Sequence, residues 1–159
     1  MINCLDLKTQ HIQIKSEIFE AFEKVYAKTA FSGGPFVEEF EENFAQFIGT
    51  KYAIGVSSGT TALHLSMLAL GIGPGDEVIT VAHTWISTVE MISIINAVPV
   101  FCDICPDTFN MDHTKLEALI TDKTKAIMPV SLYGQTANLD AINEIANKYN
   151  VPVIEDGAQ

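Results

Sequence analysis

The chain has 159 residues, of which 48% are apolar and 18% charged, and its 9 basic and 20 acidic side chains give a net charge of −11 at pH 7. A soluble chain of this length folds as one domain and buries roughly 68–70% of its unfolded surface, which excludes disorder, a collagen-like repeat and a small scaffold held by disulfides or metal. The acidic excess repels phosphate backbones at long range, so neither nucleic acid nor a membrane surface is expected as a partner, and an anionic ligand must be held by local donors.

Residues 1–8 contain no basic region followed by an apolar run, so no export signal is read and a cytoplasmic location is expected. Residues 52–75 carry no formal charge, but five glycines, Pro74, His64 and several hydroxyls make them a poor membrane helix. Cys4, Cys102 and Cys105 are an odd number, which points to reduced thiols. The Cys102/Cys105 pair ends an apolar run and lacks the further ligands of a zinc site, so both read as strand-end residues and no metal is expected.

In chain order, the first thirty residues read as a helical segment, with Ile12, Ile14, Ile18, Phe19, Phe22 and Val25 at mixed helical spacing. After the break at Gly33, Gly34 and Pro35, the residues Phe36, Phe40, Phe44 and Phe47 mark one face of an amphipathic helix ending at Gly49, a stripe that reads as core. Beyond Lys51, short β-branched runs alternate with helical patterns. Strands are predicted at residues 52–56, 77–81, 98–103, 125–130 and 151–155, and helices at 60–70, 87–96, 114–120 and 139–149. Such βα units give a mostly parallel sheet whose ligand site lies beyond the carboxyl ends of the strands.

Three segments at that edge bear chemistry. Ser57, Ser58, Gly59, Thr60 and Thr61 form a small, hydroxyl-rich turn that opens a helix. Such a turn presents unpaired N–H groups to a phosphate, although an ordinary Ser/Thr N-cap reads the same way. The glycine-rich run at residues 71–75 precedes a strand and contains Pro74, so it is a connecting turn and not a dinucleotide fingerprint. The lone tryptophan, Trp85, sits in the His83-Thr84-Trp85 loop, where its face could stack on an aromatic ligand or pack inside the protein. Asp156, after Glu155 at the last strand end and before Gly157, Ala158 and Gln159, suits a positive nitrogen or a solvated turn.

Taken in order, residues 32–41, the Ser57-Ser58-Gly59-Thr60 turn, residues 73–80, Thr84-Trp85 and residues 155–159 resemble the amino-terminal half of the DegT/DnrJ/StrS family of pyridoxal-phosphate-dependent sugar aminotransferases. The resemblance runs from about Phe31 to Gln159. It implies a three-layer αβα fold with a mostly parallel sheet, aspartate-aminotransferase-like. Residues 1–30 would be an amino-terminal helical segment, and residues 31–159 the first part of the large cofactor domain. By the same resemblance Gly59, Thr60 and Thr61 grip the phosphate of pyridoxal 5'-phosphate, Trp85 covers the ring, Asp156 pairs with the ring nitrogen and Gln159 hydrogen-bonds the ring oxygen.

The family's Schiff-base lysine lies beyond the equivalent of Gln159. Lys123, Lys125 and Lys148 match no such position, and Gly157 stands where the family usually has alanine. The chain is therefore expected to be a fragment without a catalytic residue of its own. The implied partners are a nucleotide-linked keto sugar and glutamate as amino donor, in a homodimer whose site residues 31–36 help to build. Residues 129–135 look like members that make amino sugars for surface polysaccharides. A sugar dehydratase of the same family and a non-catalytic truncation are the alternatives.

Overall fold

The computed structural model describes residues 6–159, so Cys4 and the first residues of the helical segment lie outside the described part. The chain folds as two compact units, one through Gly55 and one from Val56 onward.

The first unit holds two helices. α1 spans Leu7–Ala27, opened by Asp6, whose carboxylate accepts from the Thr9 N–H at 3.2 Å and the Thr9 hydroxyl at 2.7 Å. Helix α2 spans Pro35–Ile48, with a proline in its first turn and Gly49 in the left-handed conformation at its end (φ 78°), where a side chain would be strained. The Phe stripe predicted to be core is half-buried at Phe36 and exposed beyond it: Phe40 and Phe44 stack on each other with ring centroids 5.6 Å apart, and Phe47 is 84% exposed. Ala45 is the one buried residue of α2 and α1 buries none, because two helices offer too little surface to cover both apolar faces.

Residues 52–56, predicted as a strand, are irregular, and Tyr52 and Ile54 stand exposed. Their β-branched pattern is sound, but a strand exists only through ladder bonds to a neighbour, and no neighbour pairs with this segment among the described residues.

The second unit is an α/β/α sandwich. Its elements are α3 (Gly59–Ala69), β1 (Glu77–Val81), α4 (Ile86–Ile94), β2 (Val98–Cys102), α5 (His113–Leu116), β3 (Thr124–Ile127) and α6 (Leu139–Tyr149). The three strands pair in parallel, in the order β2-β1-β3. Of the residues predicted as the fifth strand only Val153 forms a bridge, with Ile127, and just beyond them Asp156 pairs with Val130, both in parallel, which continues the sheet past β3 without a full ladder. The predicted helix at 114–120 tightens after Leu116 into a 3₁₀ turn, Glu117–Leu119.

Alternation along β1 sorts the core into two layers. Ile79 and Val81 face Leu116, Ile127, Ile142 and Ala146, beneath α5 and α6. Val78 faces Leu63, Met67, Ile92 and Met128, beneath α3 and α4. A one-residue slip would exchange the layers, so both buried faces fix the register. Thr80, fully buried, gives its hydroxyl proton to the Met128 carbonyl at 2.9 Å and so satisfies the one polar side chain on β1's inner face.

The thiols follow the sequence reading. Cys102 is buried, its Sγ 3.4 Å from the Asp112 carbonyl, and Cys105 is partly buried; both are free. Burial, reinforced by the charges of Asp112 and Asp103, pushes the Cys102 thiol up to about 11, so it is unreactive at neutral pH. Among the described residues no cluster of His, Cys, Asp or Glu could hold a metal ion, and no helix is long and apolar enough to cross a membrane.

Candidate cofactor site at the carboxyl edge of the sheet

A cavity of about 300 Å³ opens at the carboxyl ends of the strands in the second unit. Of the six residues predicted to hold a cofactor, Gly59, Thr60, Trp85, Asp156 and Gln159 all line it, whereas Thr61 does not.

One wall is the start of α3. Ser58 is its N-cap: its Oγ accepts from the Thr61 N–H at 3.2 Å, and the Thr61 hydroxyl lies 2.9 Å from Ser57 Oγ and 3.1 Å from Ser58 Oγ. The N-cap reading of the turn holds, and it leaves room for an anion beside it. Thr61 is spent on shaping it, while the Gly59 and Thr60 N–H groups have no acceptor among the described residues and remain at the positive end of the helix. A Cβ at Gly59 would come 3.5 Å from the Ala158 Cβ, so glycine keeps the passage between helix and strand end open.

A second helix start meets the first. The Thr60 hydroxyl donates to Ser87 Oγ at 2.9 Å across from the first turn of α4, and Ser87 lines the cavity with its own proton uncommitted. Trp85, immediately before α4, is 70% exposed and lines the cavity, so it does not pack inside the described part of the protein.

The far end belongs to Asp156, only 7% exposed, so the solvated-turn alternative fails as well. Oδ2 accepts from the buried Thr88 hydroxyl at 2.8 Å and Oδ1 from the Ala158 N–H at 3.2 Å; Thr88 Oγ1 is in turn 2.9 Å from Thr84 Oγ1. The backbone is pinned too, with Asp156 N–H donating to the Pro129 carbonyl and Ser131 N–H to the Asp156 carbonyl. Both carboxylate oxygens are thus engaged by donors, and a buried carboxylate calls for a partner of opposite charge in reach. Asp156 is the one charged residue on the cavity wall, and no lysine or arginine among the described residues lines it. An anion at the opposite end must therefore rest on the N–H groups and hydroxyls of the two helix starts.

Sequence reasoning assigned no role to Ser87 or Thr88, and Thr84 entered it only beside Trp85 in the family resemblance. Their signal was positional: Thr84 one residue before Trp85, Ser87 two after and Thr88 three after, they fall in the loop and first turn following a strand, where hydroxyls can face the sheet edge.

Comparison with known proteins agrees with this fold. The profile of the DegT/DnrJ/EryC1/StrS aminotransferase family matches residues 12–159. A UDP-2-acetamido-2-deoxy-3-oxo-D-glucuronate aminotransferase of Pseudomonas aeruginosa is 50% identical over 159 residues, which are 100% of this chain and 44% of that protein. DesV of S. venezuelae superposes with a TM-score of 0.95 at 39% identity, covering 99% of this chain and 43% of that one. A GDP-4-keto-6-deoxymannose-3-dehydratase with a trapped PLP-glutamate geminal diamine superposes with a TM-score of 0.82 at 35% identity, over 87% of this chain and 38% of that one. The chain thus spans less than half the length of the relatives it matches.

Proposed function

This chain belongs to the DegT/DnrJ/EryC1/StrS aminotransferase family, and from that premise we propose that its cavity binds pyridoxal 5'-phosphate for amino transfer to a nucleotide-linked keto sugar, with glutamate as donor. The observation that carries the reading is the pairing, within one cavity, of a buried carboxylate at one end with free helix N–H groups at the other.

The residues fit that ligand in chemistry and in order. Gly59 and Thr60 would offer N–H groups, and Ser87 a hydroxyl, to the phosphate; Thr61 would hold the turn in shape. Trp85 would cover the ring. Asp156, held in place by Thr88 and Ala158, would pair with the ring nitrogen, and Gln159 would donate to the ring oxygen. When bound, the cofactor supplies an electron sink for negative charge developing on the carbon beside the transferred nitrogen. The protein's part is to keep the ring nitrogen protonated and the ring fixed in one plane, so that the charge is drawn into the ring.

In the same proposal residues 1–30 are a helical extension, residues 31–159 begin the cofactor domain of a cytoplasmic homodimer, and residues 31–36 complete the site of the neighbouring subunit. The substrate class is supported by the names of the relatives, which include an aminotransferase and a dehydratase acting on nucleotide-linked keto sugars. The test is incubation of the protein expressed from its complete gene with pyridoxal phosphate, glutamate and a UDP-linked 3-keto sugar. An amino sugar and 2-oxoglutarate are expected. A deoxy sugar without nitrogen would assign the dehydratase reaction instead.

A further inference from the structure

A buried amide outside the cavity governs one of its walls. Asn110 is 4% exposed, in the segment between β2 and α5, and all of its side-chain capacity faces the loop at residues 131–136. Its Oδ1 accepts from the Leu132 N–H at 3.1 Å, and its Nδ2 donates to the carbonyls of Gln135 at 3.0 Å and Thr136 at 3.2 Å. Three bonds from one carboxamide close both ends of a turn that otherwise has the Gln135 N–H to Leu132 carbonyl bond and the Ala137 N–H to Ser131 Oγ bond, at 3.3 Å, across it.

The turn they close is under strain. Tyr133 has φ 57° and Gly134 φ 78°, two successive left-handed residues, the first of them a bulky side chain that disfavours the conformation. Such a residue persists only where its surroundings over-determine it, and it often marks a functional constraint. Here the consequence is visible: the Tyr133 N–H is turned toward Gln159 and donates to its Oε1 at 3.2 Å. An N–H can only donate, so the Gln159 carboxamide must offer its oxygen to the loop. Its NH₂ group is left over, without an acceptor among the described residues, on a side chain that lines the cavity.

We infer that Asn110 is a positioning residue that, through the strained Tyr133 backbone, orients the Gln159 carboxamide so that the cavity meets a donor, selecting a ligand that presents an ionised oxygen there. The inference rests on the cofactor reading above, whose ring oxygen is such a group. Without the clamp the turn relaxes, the Tyr133 N–H leaves Gln159, and the carboxamide is free to rotate and present either end.

The experiment measures dissociation constants by equilibrium dialysis, on the protein expressed from its complete gene, for pyridoxal phosphate and for 3-deoxypyridoxal phosphate, which lacks the ring oxygen. The ratio of the two constants is compared between variants, so intrinsic differences between the two aldehydes cancel. The native protein should prefer pyridoxal phosphate by about tenfold, the value of one hydrogen bond to an ionised oxygen. Asn110→Ala should lower the native ratio by about fivefold to tenfold, Gln159→Ala should do the same, and the double variant should lose nothing more. Tyr133→Gly keeps the N–H while removing the strain and the phenol, and should keep the preference. Amide exchange should accelerate across residues 131–136 in Asn110→Ala while residues 77–81 stay protected; Asn110→Asp, which retains the acceptor for Leu132, provides the same comparison if the alanine variant does not fold. A preference that survives in Asn110→Ala with the loop exchanging freely would overturn the inference. Failure of the native protein to bind pyridoxal phosphate at all would remove the cofactor reading itself, and the inference with it.

Discussion

Asp156 and Thr88 are the residues on which the site's charge depends. Thr88 has no solvent to turn to and its hydroxyl ends on the carboxylate at 2.8 Å. Replacing it by the near-isosteric valine removes a donor without opening a cavity, and leaves a buried carboxylate with one bond fewer. Thr88→Val is therefore expected to cost about 1–3 kcal/mol in urea unfolding, with Thr88→Ser close to native. Equal losses for both would place the effect in packing and not in the hydrogen bond. Asp156 was legible in the sequence as a strand-end carboxylate followed by small residues. Thr88 was not, since a hydroxyl in a helix's first turn becomes significant only when the strand 68 residues later is seen beside it.

At the level of elements, the start of α3 is both cap and candidate anion site, and the two roles use different atoms. Ser58 Oγ satisfies Thr61, while Gly59 and Thr60 keep their N–H groups. Ser58→Ala should therefore lower stability by about 1 kcal/mol and weaken pyridoxal phosphate binding only indirectly, through fraying of the turn. A calorimetric melt beside a binding titration checks both. The βα rhythm was readable because buried parallel strands are short β-branched runs and the helices between them have a 3.6-residue period. Residues 52–56 share the strand composition and nevertheless lie irregular and exposed, because composition records only that a segment suits a sheet, whereas the ladder has to come from a neighbour. The Phe stripe of α2 fails for a related reason: its spacing specifies one apolar face, not what covers it.

For the whole molecule, the net charge of −11 and a cavity wall without a basic residue among those described leave backbone N–H groups and hydroxyls as the means of holding an anion. Cys102 adds a pH dependence unrelated to the site. Its folded-state value, about 11 against an ordinary 9.0, is raised chiefly by burial. A thiol with a raised value contributes stability that is fully present below pH 9 and is lost as pH rises through 11. Unfolding followed from about pH 8 to about pH 11 should show a decline that Cys102→Val flattens. An unchanged decline in that variant would assign the alkaline limb to other groups. Fold class was legible at this scale because both core layers are written into the alternation of β1; the cavity was legible only in part, since five of its residues are named by local motifs and the remainder by proximity.

The central claim is that one cavity holds pyridoxal phosphate between the helix starts and Asp156. It is tested most directly by titrating the cofactor into the native protein and into Asp156→Asn, following bound ligand by equilibrium dialysis. Saturable binding, one cofactor per chain, competed by inorganic phosphate and weakened by roughly a hundredfold in the variant, is the expected result, the size being that of unpairing a buried charge. Binding that does not saturate, or that Asp156→Asn leaves unchanged, would contradict it.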